Sequence, residues 1–262
     1  MNLLSAVIIT RNEEENIGRC LDSLKGVADE IIVLDSFSSD NTVAIATQKG
    51  AEVVQSSFSG YIDQKNKALR LTTHIYVLSL DADEVLSEKL VKSILREKKN
   101  NFRHRAYFMN RYNRYCGKFI NHGLWYPNRK LRLFDKRIGS WGGLNPHDKI
   151  VLKKGTQSHS LRGDIIHYAY DSIEEHIQRN EELSTIAAYS LFESGIKKHW
   201  SKIVLSPLWS FIHGYFFRLG FLDGYYGFII AKQTASQSFL KYQKLRRLAR
   251  QQKKELKLIM NN

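Results

Sequence analysis

Three short apolar runs, each ending in a polar loop, set the character of the first hundred residues. Ser5-Ala-Val-Ile-Ile-Thr10 leads into Arg11-Asn12-Glu13-Glu14, Glu30-Ile-Ile-Val-Leu-Asp35 leads into Ser36-Phe-Ser-Ser-Asp40-Asn-Thr42, and His74-Ile-Tyr-Val-Leu-Ser-Leu80 leads into Asp81-Ala-Asp83-Glu84. Continuous β-branched runs of this length read as buried strands. Between them, apolar residues fall at helical spacing. A helix is predicted from Glu14 to Leu24, with Ile17, Leu21 and Leu24 inward, acids in its first turn and Gly26 at its end. Others are predicted from Thr42 to Lys49, stopped by Gly50, and from Tyr61 to Leu71, with Ile62, Ala68 and Leu69 inward; Ala51 to Gln55 reads as a further strand. This alternation predicts an α/β fold whose parallel sheet carries helices on both faces. In such sheets ligands collect beyond the carboxyl ends of the strands, so the acidic loops should converge on one crevice.

The pattern then changes. Ser87 caps a helix to about Lys99, with Glu88 in its first turn. From Ala106 to Val151 the strands become short and aromatic, broken by Gly117, Gly123, Pro127, Gly139, Gly142 and Gly143, which predicts an irregular antiparallel second half. Helical text returns from Ser172 to Glu193, then in an aromatic segment from Ile203 to Ala231, then in a basic tail.

Composition narrows the class. The 262 residues fit one α/β domain plus an appendage, and two cysteines, Cys20 and Cys116, lack metal-type spacing and suit a reduced, cytosolic protein. The formal charge of +14 is uneven: Arg103 to Arg137 holds ten Lys or Arg against one acid, and Lys232 to the end holds nine against one. Such patches attract anions: nucleic acid, phospholipid, phosphorylated glycans or nucleotide sugars. The N-terminus lacks the basic start of a signal peptide. The longest uncharged stretch of the aromatic segment, Ile203 to Phe217, is shorter than the roughly 20 residues a spanning helix needs, leaving either a helix in the lipid headgroup layer or one packed on the protein.

An Asp-x-Asp triplet alone is more often a solvated turn than a metal site. Here the triplet keeps company. Val7-Ile-Ile-Thr10-Arg11-Asn12-Glu13-Glu14, Ile32-Val-Leu-Asp35-Ser-Phe-Ser-Ser-Asp40-Asn-Thr42 and Asp81-Ala-Asp83 stand in an order and spacing that resembles family 2 glycosyltransferases over most of residues 1 to 170. Gln64-Lys65-Asn66-Lys-Ala68-Leu69, Arg132-Leu-Phe134, Gly143-Leu-Asn-Pro-His147-Asp148 and Gly220-Phe-Leu-Asp-Gly224-Tyr-Tyr-Gly-Phe228 resemble the lipopolysaccharide-core β-1,4-glucosyltransferase subgroup, which extends the likeness nearly end to end.

The resemblance implies a GT-A fold, a Rossmann-like mixed sheet with flanking helices, followed by a C-terminal helical extension. Residues 1–170 would be the catalytic domain, 1–100 its nucleotide-binding half and 101–170 its acceptor and base half; residues 171–262 would hold the aromatic segment and basic tail. It implies inverting transfer of a hexose, glucose from UDP-glucose, to a lipid-linked anionic glycan such as the lipopolysaccharide inner core. A Mg²⁺ or Mn²⁺ ion would be held by Asp83, with Asp81 on the ribose or supporting the metal, and with His167 as the late histidine completing the site. A divalent cation suits the charge that develops on a departing nucleoside diphosphate. Asp148 is the candidate base, where the subgroup usually has Glu after the His; Asp is one methylene shorter. Thr10, Arg11, Glu13, Asp35, Lys65, Asp81, Gly143 and Arg132 are the candidate substrate contacts. For Glu13 the helix N-terminus, for Lys65 a helix surface, for Gly143 a simple turn, for His167 a structural strand end, for Asp148 a surface turn after Pro146 and for Arg132 a solvated basic face stay open as alternatives.

The expected setting is cytoplasmic, peripheral on the inner face of the cytoplasmic membrane, with an anionic membrane surface as partner and no nucleic acid. Two other classes remain: a basic nucleic-acid-binding protein, which would lack any zinc-finger or RNA-recognition signature here, and a nucleotidyltransferase, which would lack a Gly-rich phosphate loop.

Overall fold

The computed structural model describes residues 2–195 and 201–260, with side chains described up to 254. In chain order come β1 (Leu4–Thr10), α1 (Ile17–Leu24), β2 (Glu30–Asp35), α2 (Thr42–Gln48), β3 (Glu52–Gln55), α3 (Tyr61–Leu71) and β4 (Tyr76–Asp81). Next are β5 (Glu84–Leu86), α4 (Glu88–Lys99), β6 (Ala106–Tyr115), β7 (Lys118–Phe119), β8 (Arg129–Asp135), β9 (Gly139–Leu144), β10 (His147–Leu152) and β11 (His159–Tyr170). Helices α5 (Ile173–Glu193), α6 (Lys202–Ile212) and α7 (Gly224–Met260) end the described chain.

The main sheet runs β3-β2-β1-β4-β8-β6-β11-β5, and β9 and β10 form a separate pair. Its first four strands are parallel; the β4–β8, β8–β6 and β11–β5 pairs are antiparallel. Strand alternation gives β1 two apolar faces. Leu4, Ala6 and Ile8 pack in one cluster with Ile17, Leu21 and Leu24 of α1, while Val7 joins Ile32, Leu34, Val77 and Ala68 of α3 on the other side. This is the mixed sheet with flanking helices and C-terminal helical extension expected of a GT-A fold.

The connection from β4 to β5 bends the sheet. A flat sheet would hold these strands four spacings apart, about 19 Å. Asp81 and Glu84 end and begin them only three residues apart, a reach of at most about 11 Å. The half β4-β8-β6-β11-β5 must therefore curl, and side chains on its concave face meet across it.

By contact the chain divides into two units, the first made of Met1–Asn113, Pro127–Gly143 and Asp148–Ala169, the second of Arg114–Tyr126, Leu144–His147 and Tyr170–Asn262. Within the second, α7 is about 55 Å long. Tyr115, Ile120, Ile229 and Ile230 form its core cluster. Buried His176 receives or gives a 3.0 Å hydrogen bond with the Tyr115 hydroxyl and stacks on Tyr170; burial pushes its imidazole down to about 4, so it packs as a neutral ring. The glycines of the 220–228 motif serve close backbone approach: a Cβ on Gly227 would lie 1.8 Å from the Gly220 carbonyl oxygen.

Two expectations need correction. Helix α1 begins at Ile17 rather than Glu14 and has no acid in its first turn. Glu14 instead accepts hydrogen bonds from the backbone and side-chain nitrogens of Asn41, and the Glu13 carboxylate accepts from Asn16 Nδ2. The acids tie neighbouring loops together and do not serve the helix dipole. Helix α3 also turns a lysine inward beside its apolar residues: Gln64, Lys65, Ala68 and Leu69 are its buried positions.

Candidate active site

The register of the parallel strands gathers the first candidate residues. β1 lies between β2 and β4, with Thr10 opposite Asp35 and Ile9 opposite Asp81. Thr10, Asp35 and Asp81 thus stand at neighbouring strand ends, each about 4.8 Å from the next strand. Thr10 Oγ1 is buried and unpartnered. Asp35 is fully buried and accepts from Ser38 N at 2.9 Å, from Ser38 Oγ and from Gln55 Nε2 at 3.1 Å. Those bonds order the loop after β2 and use most of the carboxylate's acceptor sites.

Beyond Asp81 a chain of ion pairs crosses the concave face. Lys65 Nζ lies 2.8 Å from Asp148 Oδ2 and 2.9 Å from Asp81 Oδ1; Arg132 Nη2 lies 2.7 Å from Asp81 Oδ2 and 2.8 Å from Glu84 Oε1. Arg132 is 3% exposed, Lys65 5% and Glu84 0%. Carboxylates buried to this degree require such partners. Burial pulls the Asp81 carboxyl upward, but Arg132 and Lys65 outweigh it and hold the group well below the usual carboxylate range.

Trp141 lies beneath this chain, its ring 4.3 Å from Lys65 Nζ and 5.5 Å from the Arg132 guanidinium carbon. Its position is fixed by the neighbour of Lys65: Trp141 N donates to Asn66 Oδ1 and Asn66 Nδ2 donates to Trp141 O, both at 2.9 Å. One turn of α3 therefore supplies the bridging ammonium and anchors the ring that carries it.

A second small group sits beside the first. His167 Nε2 lies 3.2 Å from Asp83 Oδ2, and His167 Nδ1 lies 2.7 Å from Asn113 Oδ1. Strand β5 pairs His167 opposite Glu84, and Tyr168 N donates to Asp83 O at 3.0 Å, which holds the turn and the histidine together. Asp83 Oδ1 is buried without a hydrogen-bond partner. Among the described residues no three His, Cys, Asp or Glu side chains converge as a ready-made metal cage, and Asp81 is turned to Lys65 and Arg132. Asp83 and His167 nonetheless fit a divalent cation that takes its remaining ligands from phosphate and water, because Mg²⁺ sites commonly use one or two carboxylates plus substrate oxygens. The orphaned Asp83 oxygen is the atom such an ion would satisfy.

The remaining candidates lie outside these clusters. Arg11 is exposed. The Glu13 backbone nitrogen donates to Thr42 Oγ1 at 2.7 Å, across to the start of α2, and its carboxylate accepts from Asn16 Nδ2. Gly143 is exposed with φ of 106°, a conformation that favours glycine. Asp40 accepts from Thr42 and Glu14 N as a turn-forming residue. Sequence reading passed over Glu84, Asn66, Asn113 and Trp141. The signal for Glu84 was its place directly after the triplet; for Asn113 it was strand alternation from Arg111.

Acids and cations thus converge at one edge of an α/β sheet, where a nucleotide-dependent transferase would need them, and comparison with known proteins agrees. The family model described as Glycosyl transferase family 2 matches residues 5–156. A protein of Rickettsia typhi described as an uncharacterized glycosyltransferase is 32% identical over 258 residues, 95% of this chain and 88% of that protein. The lipopolysaccharide core biosynthesis glycosyltransferase LpsC of Rhizobium meliloti is 28% identical over 254 residues, 90% of this chain and 89% of its own length. Among solved structures, glucosyl-3-phosphoglycerate synthase from Mycobacterium tuberculosis, in complex with Mn²⁺, UDP-glucose and phosphoglyceric acid, aligns with a TM-score of 0.48 at 16% identity, covering 75% of this chain and 81% of that one. With the family model spanning more than half of the chain and a relative matched almost from end to end, the protein belongs to glycosyltransferase family 2 and is a glycosyltransferase.

Proposed function

We propose that this enzyme is a divalent-cation-dependent, inverting hexosyltransferase that moves glucose from UDP-glucose to a lipid-linked anionic glycan of the lipopolysaccharide inner-core type. The observation that carries this reading is the shared ammonium of Lys65, which joins Asp148 to Asp81 at the mouth of β4, two residues from the Asp83–His167 pair. Residues 1–100 then bind the nucleotide, 101–170 the acceptor and base, and 171–262 the lipid surface. Similarity to a lipopolysaccharide core enzyme supports the acceptor class.

Asp83 and His167 would hold Mg²⁺ or Mn²⁺, with Asp81 beside them; the ion supplies Lewis-acid neutralisation of the departing diphosphate. Thr10 and Asp35, with Arg11 and Glu13 on the adjoining loop, line the nucleoside side, and Gly143 leaves backbone room near the acceptor. Arg132 fixes Asp81 and Glu84 and so sets the shape of the floor. Asp148 accepts the proton of the acceptor hydroxyl on the face opposite the leaving group, as inversion requires. Lys65 holds that carboxylate in place, and an incoming hydroxyl shares or displaces this contact. The test is release of UDP from a panel of UDP-sugars with and without Mn²⁺, in the presence of a deep-core lipopolysaccharide acceptor. Metal-dependent UDP release with UDP-glucose supports the reading; release of pyrophosphate, or none with any acceptor, contradicts it.

Among the described residues no helix is long and apolar enough to cross a membrane. The second unit supports a peripheral placement on the inner face of the cytoplasmic membrane. Helix α6 buries none of its residues fully; Trp209 is 59% exposed and Phe217 67%, with Leu205, Leu208, Leu222 and Tyr225 also exposed. The helix is held to α7 through the Ser206–Ser238 hydroxyl pair at 2.9 Å and the edge-to-face contact of Phe211 with Phe228, while Leu205, Leu208 and Trp209 stay exposed. Apolar aromatics beside a basic helix suit the headgroup layer of an anionic bilayer.

A further inference from the structure

Two paired strands bring three cations together at the curled half-sheet, two of them by alternation and the third through a bulge. Met109 of β6 is opposite Lys130 of β8, so Lys130 shares a face with Arg111, two from Met109 on β6, while Arg132 is the extra residue of β8 at the register shift opposite Tyr107 and Phe108 and acts electrostatically on Lys130. The β4–β8 pairing ends at Leu78 against Leu133, and beyond it Arg132 of β8 reaches Asp81 at the end of β4, 2.7 Å away. Arg129 belongs to the opposite face: its guanidinium lies over Phe108 and bonds Ser160.

These cations are unequally served. Arg132 Nη2 takes both Asp81 and Glu84, and Arg111 Nη1 reaches Glu84 only at 3.5 Å. Arg111 Nε, Arg132 Nε and Arg132 Nη1 are buried without partners. Lys130, half-buried between the two arginines, makes no hydrogen bond or ion pair among the described residues. Burial, then Arg111 and Arg132, push its ammonium down to about 8 against the pull of Glu84 and Asp81. A half-buried cation beside two other cations and without a direct ion-pair partner is costly in a folded protein and matches an anion that arrives with a ligand.

We propose that Lys130 and Arg111 form an anion subsite for a phosphate or carboxylate group carried by the acceptor glycan. This rests on the transferase reading above and adds to it a reason for acceptor choice. The donor's diphosphate already has a partner in the ion that Asp83 and His167 fit, and its nucleoside end lies toward β1 and β2. Lys130 and Arg111 lie on the other side of β4, on β8 and β6, the strands next in order after Asp81. A negatively charged acceptor is then positioned by a charge-assisted contact that a neutral one cannot make.

The test uses the full-length enzyme with Lys130→Met, Arg111→Gln and the conservative Lys130→Arg. Transfer is measured to a phosphorylated core oligosaccharide, to its dephosphorylated form and to its carboxyl-reduced form, and UDP and inorganic phosphate binding are titrated separately by calorimetry. Lys130→Met should raise KM for the charged acceptor by about tenfold to a hundredfold, the scale of a lost hydrogen bond to a charged group. The variant should leave KM for the acceptor lacking the recognised anion, and UDP affinity, within about twofold, and Lys130→Arg should restore most of the loss. The form whose removal erases the wild-type preference identifies phosphate or carboxylate as the recognised group. Equal losses on charged and neutral acceptors would overturn the proposal, as would a parallel loss of UDP affinity, which would assign the pair to the donor diphosphate. If the wild type transfers to none of these acceptors, the acceptor class is wrong. The phosphate titration still decides the subsite: binding that Lys130→Met abolishes supports it, and binding unchanged in that variant overturns it.

Discussion

The two units depart from the usual distribution of polar and apolar groups in opposite directions. The first hides charge: Lys65, Glu84 and Arg132 are nearly inaccessible, linked through Asp81 and Asp148 into one ionic chain. The second shows apolar surface: Trp209 and Phe217 are more than half exposed while its interior is a plain aromatic cluster around Tyr115 and His176. Neither arrangement is what folding alone favours, since burying ions and exposing large aromatics both cost free energy. Under the proposed function each departure has a task, chemistry in one unit and attachment in the other.

The sharpest way to break this contrast is to remove its proposed chemical end. Asp148→Asn should cut turnover by about 10²–10⁴, as expected for a lost acid-base group, with UDP binding intact. Near-parental turnover in a steady-state assay would dismiss Asp148 as the base. Next in size, Arg132→Met strands Asp81 and Glu84 without their shared guanidinium and should destabilise folding by about 3–5 kcal/mol, read from denaturant midpoints. A loss under about 1 kcal/mol would show that the ionic chain is not held as described.

On the other side, Trp209→Ser with Phe217→Ser should lower sedimentation with anionic vesicles by about tenfold, while transfer to a soluble acceptor fragment stays within about twofold. Equal vesicle binding would remove the second unit's proposed task. The smallest effect concerns Asp135, which burial pulls up but which the hydrogen bonds from Arg137 and Arg105 hold down to about 2. Its folded value lies below the unfolded one, so its contribution to stability is complete above pH 4 and is lost as pH falls from about 4 through 2. Asp135→Asn should flatten the acid limb of a stability–pH curve over that window, and an unchanged limb would contradict the assignment.

Much of the first half was legible because β1, β2 and β4 are single apolar runs, the last two closed by Asp35 and Asp81, and because Ser87 does cap its helix, accepting from Leu90 N. The rest depended on contacts that linear spacing hides. Lys65 sits three residues from Ile62 and three from Ala68, on the inward face of α3, yet a pattern read from apolar residues alone leaves a lysine outside. Arg132 meets Asp81 across 51 residues of sequence. Glu84 directly follows the triplet, but three-residue β5 offers too short a pattern to show that it joins β11 and turns the carboxylate inward. The aromatic segment read as one element but divides: Ile229 and Ile230 enter the core of the second unit, while Trp209 and Phe217 stay outside.

Calorimetric titration of UDP against wild type and Asp83→Ala, each with and without Mn²⁺, tests the central claim most directly, that the Asp83–His167 pair beside the ionic chain is where the donor's diphosphate is held. The wild type should bind UDP in a Mn²⁺-dependent manner, and the variant should lose that dependence. Mn²⁺-dependent binding of equal strength in Asp83→Ala would contradict the account.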